Sequence, residues 1–268
     1  MRSHALALAS LLIVVSLGAA AQETSVRLYA AGSLRAAMSD VARAYTESGG
    51  PPIDAAYGAS GLLRERIEKG EHADVFASAD VGNPKALADA GKARMPVVFA
   101  RNRLCALIAR HVDVTTDSLL DRMLDPAIKL GTSTPKADPS GDYAWQLFEK
   151  AEALRPGAYA TLSAKALQLT GGSSVPPPAA DRSIYAILIA DGRADIFLTY
   201  CTNARQAVFE VRGAKMIAIP ESLAVGADYG LSVLVGAPPA AERFAAYVLS
   251  APAQEILMRH GFMPVRMP

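Results

Sequence analysis

The chain has 268 residues, 51% of them hydrophobic, with a formal net charge of +1. That is enough to bury a large core, as one big domain or two of ordinary size. The near-neutral balance gives no support for nucleic-acid binding, which needs a basic surface, and no block of like charge marks an acidic or basic tail.

Residues 1–22 read as a leader rather than as fold. Arg2 and His4 precede an apolar run, Ala5–Val15, which gives way to the small residues Gly18-Ala19-Ala20-Ala21. These are the three regions of a secretory signal, with cleavage expected after Ala21. The run is shorter than the ~20 residues of a membrane span, there is no cysteine near the cleavage site for a lipid anchor, and no later segment reads as a transmembrane helix. The expectation is a soluble exported protein. Its two cysteines, Cys105 and Cys201, are then either a disulfide or two buried thiols.

Val26–Ala31 alternates and then turns wholly apolar, predicting a first strand. Gly32-Ser33 breaks it, and Leu34–Glu47 has a helical face of Leu34, Met38, Val41 and Tyr45, with Ser33 placed at the N-cap. Ile53–Tyr57 is a second strand. It runs into Gly58-Ala59-Ser60-Gly61, a small-residue turn that opens a short amphipathic helix ending at Gly70. Two successive strand–Ser–helix units put both serines at the carboxyl edge of an α/β sheet, where such sheets bind ligands. A helix start of this kind presents unpaired N–H groups to an anion.

Asp74–Ala77 is a third strand and Lys85–Ala90 a helix. Pro96–Ala100 and Leu104–Ala109 are apolar runs separated by Arg101-Asn102-Arg103, which suggests a crossover into a second domain. Ser118–Leu124 reads as a helix and Lys129–Thr132 as a strand. The turn-rich loop Thr134–Gly141 feeds a helix over Asp142–Ala153. Gly171–Ala180 is a Pro-rich surface loop. Asp181–Asp191 is helical, Ala194–Tyr200, Lys215–Ile219 and Leu231–Val235 are strands, and Ala240–Leu249 and Pro252–His260 are closing helices.

In order along the chain, LYAAGSL (Leu28–Leu34), YGASGLL through ADVFASAD (Tyr57–Asp80), DPSGDYA (Asp138–Ala144), DGRADIFLTY (Asp191–Tyr200) and AQEILMRHGF (Ala253–Phe262) make this sequence resemble the periplasmic molybdate-binding proteins (ModA type) of ABC importers. The resemblance covers nearly all of the mature chain. It implies an α/β, two-lobed type II periplasmic-binding-protein fold, with mixed sheets flanked by helices and a hinge between lobes. The lobes would be 23–98 plus 222–268, and 99–221.

The resemblance also implies a ligand set: Ser33 and Ser60 from the first lobe, and a backbone donor at Ser140, a backbone N–H at Arg182 and the hydroxyl of Tyr200 from the second. The ligand would be molybdate or tungstate, and the partner an inner-membrane permease. No cofactor, no residue coordinating a metal cation directly and no nucleic acid are expected, and the protein would be monomeric and periplasmic. Arg182 departs from the family pattern, which has a small apolar residue there; a guanidinium in the cleft would favour a carboxylate or phosphoryl group. In the fold the resemblance implies, Cys105 begins an antiparallel strand and Cys201 follows the end of a parallel one; if those two strands are neighbours, the cysteines face each other at the same end and can form a disulfide.

The competing class is a hydrolase with Ser60 as nucleophile. The G-x-S-x-G spacing of a nucleophile elbow fails at Leu62, and His72, His111 and His260 lie in no catalytic motif. A ligand sensor on the same fold is not separable by sequence.

Overall fold

The computed structural model describes residues 25–173 and 182–265. The signal-peptide reading, Asp181 and most of the Pro-rich loop therefore lie outside the described residues.

The first lobe begins with β1 (Val26–Ala31), a short 3-10 turn over Gly32–Leu34, and α1 (Arg35–Glu47). β2 (Ile53–Gly58), α2 (Ser60–Glu68), β3 (Val75–Ser78) and α3 (Gly82–Asp89) follow. α1 and α2 each bury one stripe, Met38, Val41 and Tyr45 in the former and Leu63 and Ile67 in the latter, so each is held by packing on the sheet more than by propensity. Ser33 is not the N-cap of α1. The 3-10 turn sets it one residue ahead of the cap, which Leu34 occupies, and the Ser33 hydroxyl lies 3.0 Å from the Tyr229 hydroxyl.

β4 runs unbroken from Val97 to Ile108, through the stretch Arg101-Asn102-Arg103. Asn102 is buried and donates to the Thr202 hydroxyl at 2.9 Å, and Arg101 pairs with Asp228 at 2.9 Å. The polar triplet is thus satisfied within the strand instead of breaking it. The second lobe adds α4 (Leu119–Leu124), β5 (Leu130–Ser133), α5 (Pro139–Leu154), α6 (Ala158–Lys165) and β6 (Leu167–Thr170). It continues with α7 (Ile184–Ala190), β7 (Ile196–Tyr200), α8 (Cys201–Glu210) and β8 (Lys215–Ala218). Of these, α6, β6 and α8 lack a clear signal in the sequence. β9 (Gly226–Val233) returns to the first lobe, and α9 (Pro239–Val248) and α10 (Ala251–Arg259) pack on it.

The strands order as β2-β1-β3-β9-β4-β7-β5-β6, with β8 also on β4. β1 pairs in parallel with β2 and β3, and β5 with β6 and β7. β9 and β4 run against their neighbours. Val97–Arg103 pairs with β9, while Leu104–Ile108 pairs with β7. One strand therefore belongs to both lobes, and the change of partner falls at Arg103/Leu104, five residues beyond the expected division at 98/99. A disulfide joins Cys105 of β4 to Cys201, the first residue of α8, with Cα atoms 4.8 Å apart. This is a mixed α/β sheet with helices on its faces, the architecture of type II periplasmic binding proteins.

Candidate functional site

Because β1 and β2 are parallel and in register from Val26↔Ile53 to Ala31↔Gly58, the turns after them emerge side by side. β3 lies on the other flank of β1 and brings Ala79 to the same edge. The second lobe answers with the carboxyl end of β7 at Tyr200 and the start of α7. Between the lobes lies a cavity of about 130 Å³. Ser33, Ser60 and Tyr200 all line it.

One residue, Ala79, ties these groups together through its backbone. The Ala79 N–H donates to Ser60 Oγ at 3.1 Å, and the Ala79 carbonyl accepts from the Tyr200 hydroxyl at 3.3 Å. The first bond leaves the Ser60 O–H free to donate. The second crosses between lobes and holds Tyr200, buried and stacked edgewise near Tyr143 and Tyr229. Burial keeps the Tyr200 hydroxyl well above its ordinary pKa, so it stays neutral, with its one hydrogen given to the Ala79 carbonyl; it can donate to a ligand only by releasing that bond. Tyr185, also on the cavity wall, is pushed up to about 12 by burial and by Asp138.

Two charged side chains on the wall have no counterpart in the sequence expectation. Arg35 lines the cavity with its guanidinium 4.7 Å from the centre of the Tyr57 ring, a cation–π contact. Asp138 lines the second-lobe side. It is the N-cap of α5, with Pro139 at the first helical position, and its Oδ1 accepts the Ser140 N–H at 3.0 Å. Burial is the main cause that pushes its carboxyl up to about 6. The sequence carries a signal for this cap, an Asp–Pro pair opening a helix.

Ser140, buried behind Asp138, does not line the cavity, and its N–H is already taken. Arg182 is also displaced from the small cavity. α7 starts at Ile184 with Ser183 as its cap, and Ile184 and Tyr185 face the cavity in place of Arg182. The Ser183 N–H is held by both carboxylate oxygens of Glu210, at 3.1 and 3.0 Å. The Arg182 side chain is 53% exposed, its closest carboxylate contact being Glu210 at 4.0 Å. It borders a larger outer cleft of about 690 Å³, shared with Arg35, Arg205, Arg259 and His260, that adjoins the small cavity at Ser33 and Arg35.

The lobes also touch at Gly61. Its N–H donates to the Ala137 carbonyl at 2.9 Å, and a Cβ there would lie 2.2 Å from the Lys136 carbonyl oxygen. The loop before α5 seats directly on the first turn of α2. Only a residue without a side chain permits this approach.

Comparison with known proteins places the chain among binders of solutes. A family model described as bacterial extracellular solute-binding protein matches residues 26–263. The uncharacterized protein PM1146 of Pasteurella multocida (strain Pm70) is 34% identical, over 77% of this chain and 86% of its own. The molybdate-binding protein ModA of Escherichia coli (strain K12) is 27% identical, over 95% of each chain. Among solved structures, the sulfate-binding protein SubI from Mycobacterium tuberculosis H37Rv superimposes with a TM-score of 0.75 at 19% identity, covering 91% of this chain and 88% of that one.

Proposed function

The chain belongs to the bacterial extracellular solute-binding proteins, and from that premise we propose that it captures a small oxyanion between its lobes and delivers it to an ABC permease. Molybdate or tungstate is the ligand proposed, as for the relative of that name. The observation that carries this reading is the convergence of Ser33, Ser60 and Tyr200 from both lobes on one small cavity. Neutral hydroxyls placed by the fold stabilise an anion: the Ser60 O–H is free to donate, and Tyr200 donates by exchanging the Ala79 carbonyl for a ligand oxygen. The cavity matches an ion of a few heavy atoms, and the two anions are nearly the same size, so both are expected to bind. We propose further that residues 1–22 direct export and are removed, and that 23–98 plus 222–268 and 99–221 close as two lobes.

A second reading, a different small anion, is favoured by one specific observation. The cavity wall holds the Arg35 guanidinium and the Asp138 carboxylate, which suit a ligand with both anionic and donor groups. The exposed Arg182 side chain does not carry this reading. Catalysis by Ser60 has little to support it. The Ser60 oxygen is engaged by the Ala79 N–H, and His72, His111 and His260 lie against Asp74, Asp195 and Asp40.

Calorimetric titration of the ligand-stripped protein with molybdate, tungstate, sulfate, phosphate and small organic acids tests the proposal. One-to-one binding of molybdate and tungstate, with sulfate weaker, is the expected result. Tight binding of another anion with no heat from these two would overturn the ligand and leave the solute-binding role standing.

A further inference from the structure

A carboxylate on the wall of an anion site needs a reason. Asp138 lines the cavity with its Oδ1 accepting the Ser140 N–H at the start of α5, so the carboxylate stands between that N–H and the cavity. It cannot easily withdraw. Gly171 (φ +76°) packs over it so closely that a Cβ at that glycine would lie 2.4 Å from Asp138 Cβ. Any anion in the 130 Å³ cavity therefore shares it with this side chain. The charged groups around it give little relief. Asp142, on its own helix, and Asp80, from the β3–α3 turn, both act on it with the same sign. Ser133 and Tyr185, the latter on α7, face it as neutral hydroxyls. Arg35 is the one basic side chain among the described residues on the cavity wall, and its guanidinium is set over Tyr57.

We infer that Asp138 makes the cavity take its anion together with one proton. A fully ionised dianion binds when Asp138 is protonated, and an anion with an O–H of its own binds by donating that hydrogen to the carboxylate. This rests on reading the cavity as an anion site. The sign follows from like charge: a dianion disfavours the ionised carboxylate beside it, so binding the dianion draws a proton from solution. The position of Asp138, raised to about 6 by burial and by its acidic neighbours, puts the effect near neutrality. Above that pH, affinity for a dianion falls by up to ten-fold per unit, the limit for uptake of one proton. A ligand that brings its own donor escapes the penalty. The residue thus selects among oxyanions by protonation, which cavity size cannot do.

The test is titration of the stripped protein with molybdate from pH 6.5 to 8.5, in two buffers of different ionisation enthalpy so that protons taken up are counted. The wild type is expected to lose roughly ten-fold in affinity per unit over this range and to take up close to one proton at its upper end. Asp138→Asn and Asp138→Ser both retain an N-cap; each is expected to give a flat profile, no proton uptake and binding at pH 8.5 at least ten-fold tighter than the wild type. A flat wild-type profile, or a slope that persists in both variants, would overturn the proposal. If molybdate, sulfate and phosphate all fail to bind any of the three proteins, the anion site itself is wrong and the inference falls with it.

Discussion

At the residue scale the site is built from shared hydrogen bonds. Ala79 contributes no side-chain chemistry, yet its N–H fixes Ser60 and its carbonyl fixes Tyr200. Such a residue is invisible in sequence, because its role is entirely backbone. The positions of Ser33 and Ser60 on the cavity wall are legible because each follows a strand and precedes a helix; that they bind the ligand is the proposal. The place of Arg182 outside the small cavity is not legible, nor is the contact of the neighbouring Ser183 N–H with Glu210, far along the chain. With its side chain 53% exposed on the outer cleft, Arg182→Val is expected to leave equilibrium affinity for a small oxyanion within about two-fold, since surface substitutions of this kind are worth about 0.5 kcal/mol or less. Calorimetry on that variant is the check; a loss of ten-fold or more would place the guanidinium on the ligand.

At the element scale the organising pieces are β4 and the first turn of α2. β4 was the hardest strand to see whole, because Arg101-Asn102-Arg103 interrupts its apolar pattern. The interruption is resolved only by partners distant in sequence, Asp228, Thr202 and Tyr229. By contrast β1, β2 and α2 were read almost to the residue, since alternation and helical spacing are local signals. The disulfide fixes α8 to β4 next to Tyr200, which steadies the second-lobe end of the clamp. The turn of α2 matters because the opposing loop rests on Gly61. Gly61→Ala would push a methyl into the Lys136 carbonyl and hold the lobes apart. Its expected effect is a loss of more than ten-fold in anion affinity with little change in the melting temperature of the stripped protein. Small-angle scattering should show a radius of gyration that no longer contracts on adding ligand; contraction equal to the wild type's would refute the role given to this contact.

At the scale of the whole molecule, two α/β lobes share one long strand and enclose a cavity whose donors come from both sides. The chain is nearly neutral overall, but its outer cleft gathers Arg35, Arg182, Arg205 and Arg259 in front of the cavity. Charge placed this way favours the approach of anions, and of these four side chains only Arg35 also lines the cavity itself. The two-lobed fold and the edge on which the site lies were legible from the strand–turn–helix rhythm and from the family resemblance. The chemistry at the bottom of the cleft was less so, because Arg35 and Asp138 become wall residues only when the lobes meet.

The central claim is that hydroxyls of both lobes hold one small oxyanion. The most direct measurement is the affinity of ligand-stripped protein for molybdate at pH 6.5, compared among wild type, Ser60→Ala, Tyr200→Phe and the double variant. A hydroxyl bonded to a charged partner is worth about 1.5–3 kcal/mol, so Ser60→Ala should bind roughly ten- to hundred-fold more weakly; Tyr200→Phe should lose less, because the Tyr200 hydrogen is exchanged from the Ala79 carbonyl, and the double variant should be weaker than either. Binding by the double variant equal to wild type would contradict the account, because the anion would then lie somewhere other than between Ser60 and Tyr200.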